Sequence, residues 1–133
     1  MHHEFAHILH QKKNYPTEYN QISAADYSST GWQNRTEQQA WKLGFVTPYA
    51  GGEPQEDFVE VIANYLVKPD GFWENMLANA GTEGATKIQT KFDMVKEWLM
   101  TAWNIDIDEL RTIIIRRSGD IDSILNEKIA YNE

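Results

Sequence analysis

Residues 2–11 read His-His-Glu-Phe-Ala-His-Ile-Leu-His-Gln, a segment with the periodicity of a helix and the pattern His-Glu-x-x-His at residues 3–7. Side chains four positions apart lie one turn apart on the same helix face, so the imidazoles of His3 and His7 can reach one metal ion. Glu4 lies beside them, where it can act as general base for a water molecule activated by the metal. The spacing predicts tetrahedral zinc with an open position; the alternative is a chance match in a helix that contains several histidines.

The same helix is expected to be amphipathic. A helical wheel gives it two faces, with His3, Ala6 and His7 on one and Phe5, Ile8 and Leu9 on the opposite one. We expect the first face to line a cleft and the second to anchor the helix in the core. His10 lies on the ligand face, but two turns of helix place its root about 10 Å from that of His3. We interpret His10 as a cleft residue or a support for a ligand, and ligation by His10 is the alternative.

The third zinc ligand is expected from a second helix, predicted from Gln55 to Val67. The metzincin pattern would require histidine at position 13, which is Lys13, so that class is excluded. Glu56 and Glu60 share a face of the second helix, and we predict that Glu56 is the ligand. Glu60 would accept a hydrogen bond from a ligating imidazole and fix its tautomer. The alternative is that both carboxylates belong to a solvated acidic face.

Tyr49 is a candidate for stabilising the transition state. It precedes Glu56 by seven residues and ends the segment Phe45–Tyr49, which we predict to be extended. A phenol in this place can donate a hydrogen bond to an oxyanion as a tetrahedral intermediate forms. The alternative is an ordinary packed or surface tyrosine.

The whole chain is predicted to be one mainly α domain, residues 1–133. Asn14 to Thr36 has the composition of an irregular connection. Asp106 and Glu109 have the spacing of a capping box at a helix start. Besides the two helices above, the predicted helices are Thr36–Leu43, Phe72 to about Ala80, about Glu83 to Trp103, Ile107–Arg117 and Ile121–Tyr131.

Composition excludes several classes of function. The 133 residues include 12 Lys+Arg and 20 Asp+Glu, giving a formal charge of -8 that disfavours binding to nucleic acid. The chain has no cysteine, which excludes disulfides and thiolate zinc ligands. No apolar run is long enough for a membrane span, and we expect none.

Residues 3–11 and the segment 49–60, Tyr-Ala-Gly-Gly-Glu-Pro-Gln-Glu-Asp-Phe-Val-Glu, resemble the zinc-binding metallopeptidases of Bacteroidetes, which are typically surface lipoproteins. The likeness extends through residues 105–111 to Arg116. The step from Tyr49 to Glu56 and then to Glu60 is also similar to the catalytic end of anthrax lethal factor, a glutamate-zincin.

The resemblance implies a zincin-like fold and a zinc-dependent peptidase acting on proteins or peptides. It implies His3, His7 and Glu56 as zinc ligands, Glu4 as general base and Tyr49 as transition-state stabiliser. It also implies a longer parent at the cell surface or in the periplasm, with a sheet upstream of the first helix. Because His3 lies in the first turn, where helices fray, we expect the chain alone to bind zinc weakly or not at all and to show little or no peptidase activity. The apolar surface that the upstream sheet would cover is expected to favour self-association.

Two other functions are considered beside the enzyme. One is an inactive binding module that uses the same cleft. Exposed tryptophans at Trp32, Trp41 or Trp73 would support this function. The other is a structural zinc site, which would require a fourth protein ligand. Glu4 favours the enzyme, because a binding module does not need a general base.

Overall fold

The computed structural model describes residues 2–117 and consists of helices joined by turns and loops. Within that range there is no β-strand, so the predicted mainly α fold is confirmed. The predicted helix Ile121–Tyr131 lies outside the described residues. The α-helices are α1 (His2–Lys12), α2 (Glu37–Lys42), α3 (Pro54–Val67), α4 (Phe72–Asn79), α5 (Gly81–Trp103) and α6 (residues 107–117). Short 3-10 helices span Thr17–Gln21, Trp32–Asn34 and Tyr49–Gly51.

Local sequence signals explain where two helices begin. The hydroxyl of Thr36 accepts a hydrogen bond from the Gln39 amide at 3.2 Å, and the Gln39 side chain accepts one from the Thr36 amide at 2.9 Å. This reciprocal pair satisfies two amides that would otherwise lack partners at the start of α2. At the start of α6, the Asp106 carboxylate accepts from the amides of Asp108 and Glu109 at 3.0 and 3.2 Å. Asp106 therefore caps α6 as its position predicts.

Helix α3 lies at the centre of the molecule, with α1 on one side and α5 on another. Phe58, Val61, Ile62 and Leu66 are at most 1% exposed and form the middle of the core. Burying a side chain of this size contributes about 1.5–3 kcal/mol each. Because α3 is held by its apolar side chains, its remaining face is positioned against α1.

Close contacts hold α5 against α2 and α6 against the end of α3. Gly84 lets α5 approach α2, since a Cβ there would lie 2.4 Å from the carbonyl oxygen of Trp41. Arg111 of α6 donates from Nε to the Tyr65 carbonyl at 3.0 Å and from Nη2 to the Lys68 carbonyl at 2.9 Å. These bonds satisfy carbonyls at the end of α3 that have no intrahelical partner.

The prediction that Phe45–Tyr49 is extended is wrong. The segment folds into a turn that runs into the 3-10 helix Tyr49–Gly51. The Phe45 amide donates to the Ala40 carbonyl at 2.9 Å, and the Ala50 amide donates to the Thr47 hydroxyl at 3.1 Å. With no neighbouring strand in the described chain, the backbone satisfies these groups locally.

The prediction that Phe5 and Ile8 anchor α1 in the core is also wrong. Phe5 is 40% exposed and Ile8 is 52% exposed, whereas Ala6 and Leu9 are buried. Helix α1 packs on α3 with Ala6 and Leu9 buried, which leaves the neighbouring side chains without a covering element in residues 2–117. No helix in the described part of the chain is long and apolar enough to cross a bilayer.

Candidate metal centre

His3 and His7 of α1 meet Glu56 of α3 at the contact between these two helices. The Nε2 atoms of the two imidazoles are 3.1 Å apart. Glu56 Oε2 lies 3.1 Å from His3 Nε2, and Glu56 Oε1 lies 3.2 Å from His7 Nε2. Helical spacing aligns the histidines, and the packing of α3 on α1 brings the carboxylate to them. The three side chains named as ligands from the sequence are thus brought together.

The donor set fits a zinc ion. Two imidazole nitrogens and a carboxylate oxygen are common zinc ligands, and bonds of about 2.0 Å in a tetrahedron separate neighbouring ligand atoms by about 3.3 Å. The separations among His3 Nε2, His7 Nε2 and Glu56 Oε2 are 3.1–3.3 Å, close to this value. Electron pairs on three such atoms repel one another unless a cation lies between them. Among the described residues three ligand side chains come together here, which leaves room for a further, non-protein ligand.

Each imidazole has a partner on its other nitrogen. His3 Nδ1 lies 3.3 Å from Glu60 Oε2, and the second oxygen of Glu60 accepts a hydrogen bond from the Thr47 hydroxyl at 3.0 Å. His7 Nδ1 lies 2.8 Å from His10 Nε2. If both Nδ1 atoms carry the proton, Glu60 and His10 accept it and the Nε2 lone pairs face Glu56.

His10 suits the role of acceptor because its surroundings favour the neutral form. Burial, followed by the nearby His7, lowers the pKa of His10. A neutral imidazole retains one lone pair, which His10 can offer to the Nδ1–H of His7. Since His10 Nε2 contacts His7 rather than Glu56, the geometry matches a support for a ligand and not a fourth ligand.

Glu4 and Tyr49 are both accessible, and Tyr49 lies beside the centre. Glu4 follows His3 in α1 and is exposed. Tyr49 is 39% exposed, with its ring centroid 5.9 Å from that of His3. Partial desolvation and the Glu56 carboxylate raise the pKa of Tyr49, so the hydroxyl stays protonated and able to donate.

A buried ionic network beside the centre was not predicted. Asp57 and Lys91 are fully buried and form an ion pair at 2.8 Å. Tyr27 and Tyr19 donate to the Asp57 carboxylate at 2.6 and 3.2 Å, and Lys91 also donates to the Gly44 carbonyl at 2.7 Å. Burial raises the pKa of Asp57 and lowers that of Lys91, and their ion pair opposes both shifts. A signal existed in the sequence, because Lys91 interrupts the apolar stripe of α5.

The tryptophans considered for a binding module have different surroundings. Trp41 is buried and donates from its indole to the Val46 carbonyl at 3.0 Å, so it belongs to the core. Trp73 is partly buried and packs on Tyr65 and Phe92. Trp32 is partly buried next to Tyr49, with ring centroids 5.2 Å apart, and so lies near the metal centre.

Comparisons with known proteins give a matching family model and a similar solved structure. A family model described as "putative zinc-binding metallo-peptidase" matches residues 1–108. Among solved structures, the chain is similar to a putative zinc-binding metallo-peptidase from Bacteroides caccae, with 52% sequence identity and a TM-score of 0.89. The match covers 92% of this chain and 47% of the other, so the chain spans about half the length of that protein. A comparison with curated proteins gives no match. The predicted resemblance to metallopeptidases of Bacteroidetes is therefore confirmed.

Proposed function

Since the chain belongs to the family of putative zinc-binding metallo-peptidases, we propose that it carries the catalytic centre of a peptidase that hydrolyses proteins or peptides. In this proposal His3, His7 and Glu56 hold zinc, Glu4 is the general base and Tyr49 stabilises the transition state. The observation that carries the proposal is the set of separations of 3.1–3.3 Å among His3 Nε2, His7 Nε2 and Glu56 Oε2.

The chain's own residues would divide the chemistry between them. Zinc in this site would supply a Lewis acid for the substrate carbonyl and would lower the pKa of a water molecule. Glu4 would accept a proton from the attacking water and return it to the leaving amine. Tyr49, with its proton retained, would donate a hydrogen bond to the carbonyl oxygen as negative charge develops there.

The supporting residues would hold the ligands in place. Glu60 would fix the ring of His3 and is itself oriented by Thr47. His10 would fix the ring of His7. Such partners preorganise a site because the ligand side chains then lose little freedom when the metal binds.

The ligand assignment is tested by comparing two substitutions under calorimetric zinc titration. Glu56→Ala removes a ligand and is expected to lower zinc affinity more than 100-fold, whereas His10→Ala removes a support and is expected to cost about 10-fold to 100-fold. Equal losses in the two variants would contradict the assignment of Glu56. A fourth protein ligand seen by zinc X-ray absorption would favour a structural site instead.

The role of Glu4 is tested by Glu4→Gln in the longest form of the protein that can be expressed. The amide cannot accept the proton, so turnover on casein should fall by about 10²–10⁴-fold. Zinc affinity should stay unchanged, because Glu4 is exposed and outside the ligand set. Undiminished turnover in this variant would reject the general-base role.

A further inference from the structure

Two hollows flank the metal centre, and they differ in charge. One, of about 260 Å³, is lined by Ser29, Trp32, Tyr49, Gly52, Glu53 and Glu56. The other, of about 310 Å³, contains His3, Glu60 and Lys68 in its wall. Glu56 lines the first and His3 the second, and these side chains are 3.1 Å apart. A peptide lying across the centre would therefore place one group in each hollow.

The first hollow has an aromatic wall beside a carboxylate. Trp32 packs edge to face on Tyr49 and lies against the backbone at Gly52, where an added Cβ would be 3.2 Å from Trp32 Cδ1. The glycine therefore lets the indole form one wall. Glu53 stands at the edge and is exposed. Its carboxylate accepts a hydrogen bond from the Gln55 side chain at 3.1 Å and is in no ion pair within residues 2–117. A carboxylate without a cationic partner attracts cations by its charge, and an indole attracts them by its π-face.

The other charges near the first hollow do not cancel its attraction for cations. The two positive charges of a zinc ion would be balanced by Glu56 and by Glu60, which lies 3.3 Å from His3 Nδ1. Glu53 then remains as the carboxylate of the wall without a cationic partner. Arg35 donates to the Asp26 carbonyl at 2.6 Å and lies over the Phe45 ring, and it does not line the hollow. The net charge of -8 further raises the local concentration of cationic groups.

The second hollow lacks such a carboxylate. Glu60 is already engaged by His3 and Thr47. Lys68 supplies a positive charge to that wall, with its ammonium 5.2 Å from the centre of the Phe72 ring. A cationic group of a substrate would therefore be repelled from this side and favoured on the other.

We propose that the hollow formed by Trp32, Tyr49 and Glu53 is a substrate subsite that takes a cationic group of the peptide next to the cleaved bond. The group is either the side chain of arginine or lysine or the α-ammonium of the peptide. This inference rests on the proposed function, because it takes the bound molecule to be a peptide that crosses the metal centre.

The test measures binding of small probes and requires no turnover. Nα-acetyl-arginine amide carries only a side-chain cation, citrullinamide carries only an α-ammonium, and Nα-acetyl-citrulline amide is a neutral isostere. Each titration is followed by NMR through the indole N–H resonance of Trp32, which is assigned by its absence in Trp32→Phe. Either the acetylated arginine amide or citrullinamide is expected to bind more tightly than the neutral probe, by about fivefold or more. Whichever cationic probe shows this advantage identifies the source of the charge.

Two matched glutamate variants show whether the tighter binding of the cationic probe depends on Glu53. Glu53→Gln should remove the advantage of the cationic probe, and it should leave the fold intact because Glu53 is exposed and makes no side-chain cap. Glu37→Gln is the control, since Glu37 is also an exposed glutamate at the start of a helix and the net charge changes equally. An advantage that survives Glu53→Gln, or is lost equally in Glu37→Gln, would overturn the subsite.

Titration with and without zinc separates this inference from the proposed function. If the chain fails to bind zinc but keeps a preference for the cation that depends on Glu53, the peptidase proposal fails and the subsite stands. If zinc binds tightly and peptides are cleaved with no preference that depends on Glu53, the subsite fails and the peptidase proposal stands.

Discussion

Glu56 and Asp57 are adjacent carboxylates in the first turn of α3, yet their surroundings are opposite. The Glu56 side chain is 19% exposed and faces the histidines of α1. The Asp57 side chain is fully buried and faces Lys91 of α5. A helix turns by about 100° per residue, so neighbours on α3 face different packing layers. One turn of helix can therefore supply both a candidate metal ligand and a buried structural charge.

The charges of Asp57 and Glu56 are stabilised by different partners. Asp57 is compensated within the protein by Lys91, Tyr27 and Tyr19, so its charge is stabilised whether or not a metal is present. Glu56 faces two imidazoles that offer lone pairs or single protons, and a metal ion would be its strongest partner. We therefore expect Asp57 to act mainly on folding and Glu56 mainly on zinc binding.

The largest expected effect is the loss of one member of the buried ion pair. Lys91→Met leaves the Asp57 charge buried without its cation and should lower the free energy of unfolding by about 3–5 kcal/mol. Urea denaturation followed by circular dichroism measures this. Adding Asp57→Leu to Lys91→Met should recover part of the loss, because no uncompensated charge then remains. A change below about 1 kcal/mol in Lys91→Met would show that the pair is not structural.

The second largest expected effect is the stability gained when zinc binds, which should depend on Glu56. Saturation at about 100 times the dissociation constant should stabilise the wild-type chain by about 2.7 kcal/mol. Glu56→Gln should abolish most of this gain while changing the metal-free stability by about 0.5 kcal/mol or less, because the side chain is partly exposed. Thermal unfolding with zinc and with a chelator gives both numbers. A large loss of metal-free stability would remove the distinction between Glu56 and Asp57.

A smaller effect on zinc binding is expected for Glu60→Gln, one turn further along α3. The amide is a weaker acceptor for His3 Nδ1–H, so zinc affinity should fall by about 10-fold to 100-fold, with stability little changed. Thr47→Val is the matched test, since it removes the hydroxyl that orients Glu60, and it should lower zinc affinity less. If Glu60→Gln leaves zinc affinity intact, Glu60 does not support the centre.

The smallest expected effect belongs to the outer face of α1. Phe5→Ser and Ile8→Ser should change the free energy of unfolding by about 0.5 kcal/mol or less each, because both side chains are largely exposed in residues 2–117. Leu9→Ala, on the buried side of the same helix, is the control and should cost about 2–5 kcal/mol. A cost above about 1.5 kcal/mol for Ile8→Ser would mean that another surface covers this face in solution.

Much of the fold was predictable because its signals are local. The start of α2 at Thr36, the end of α3 before Pro69 and the cap at Asp106 each depend on residues within one turn. The turn at Phe45–Tyr49 was missed because β-branched and aromatic residues favour an extended chain, and the local hydrogen bonds that fold it are not visible in composition.

The spacing of His3 and His7, and of Glu56 and Glu60, was enough to place each pair on one helix face. Helical periodicity is a property of the chain within a few residues, so the sequence carries it directly. Only the tertiary structure determined that these two faces meet, with Glu56 about 3 Å from both imidazoles. It also determined that His10 contacts His7, that Asp57 pairs with Lys91 across 34 positions, and that Phe5 and Ile8 are exposed. These contacts depend on how distant segments pack, and that packing is fixed by the shape of the whole core rather than by any local pattern.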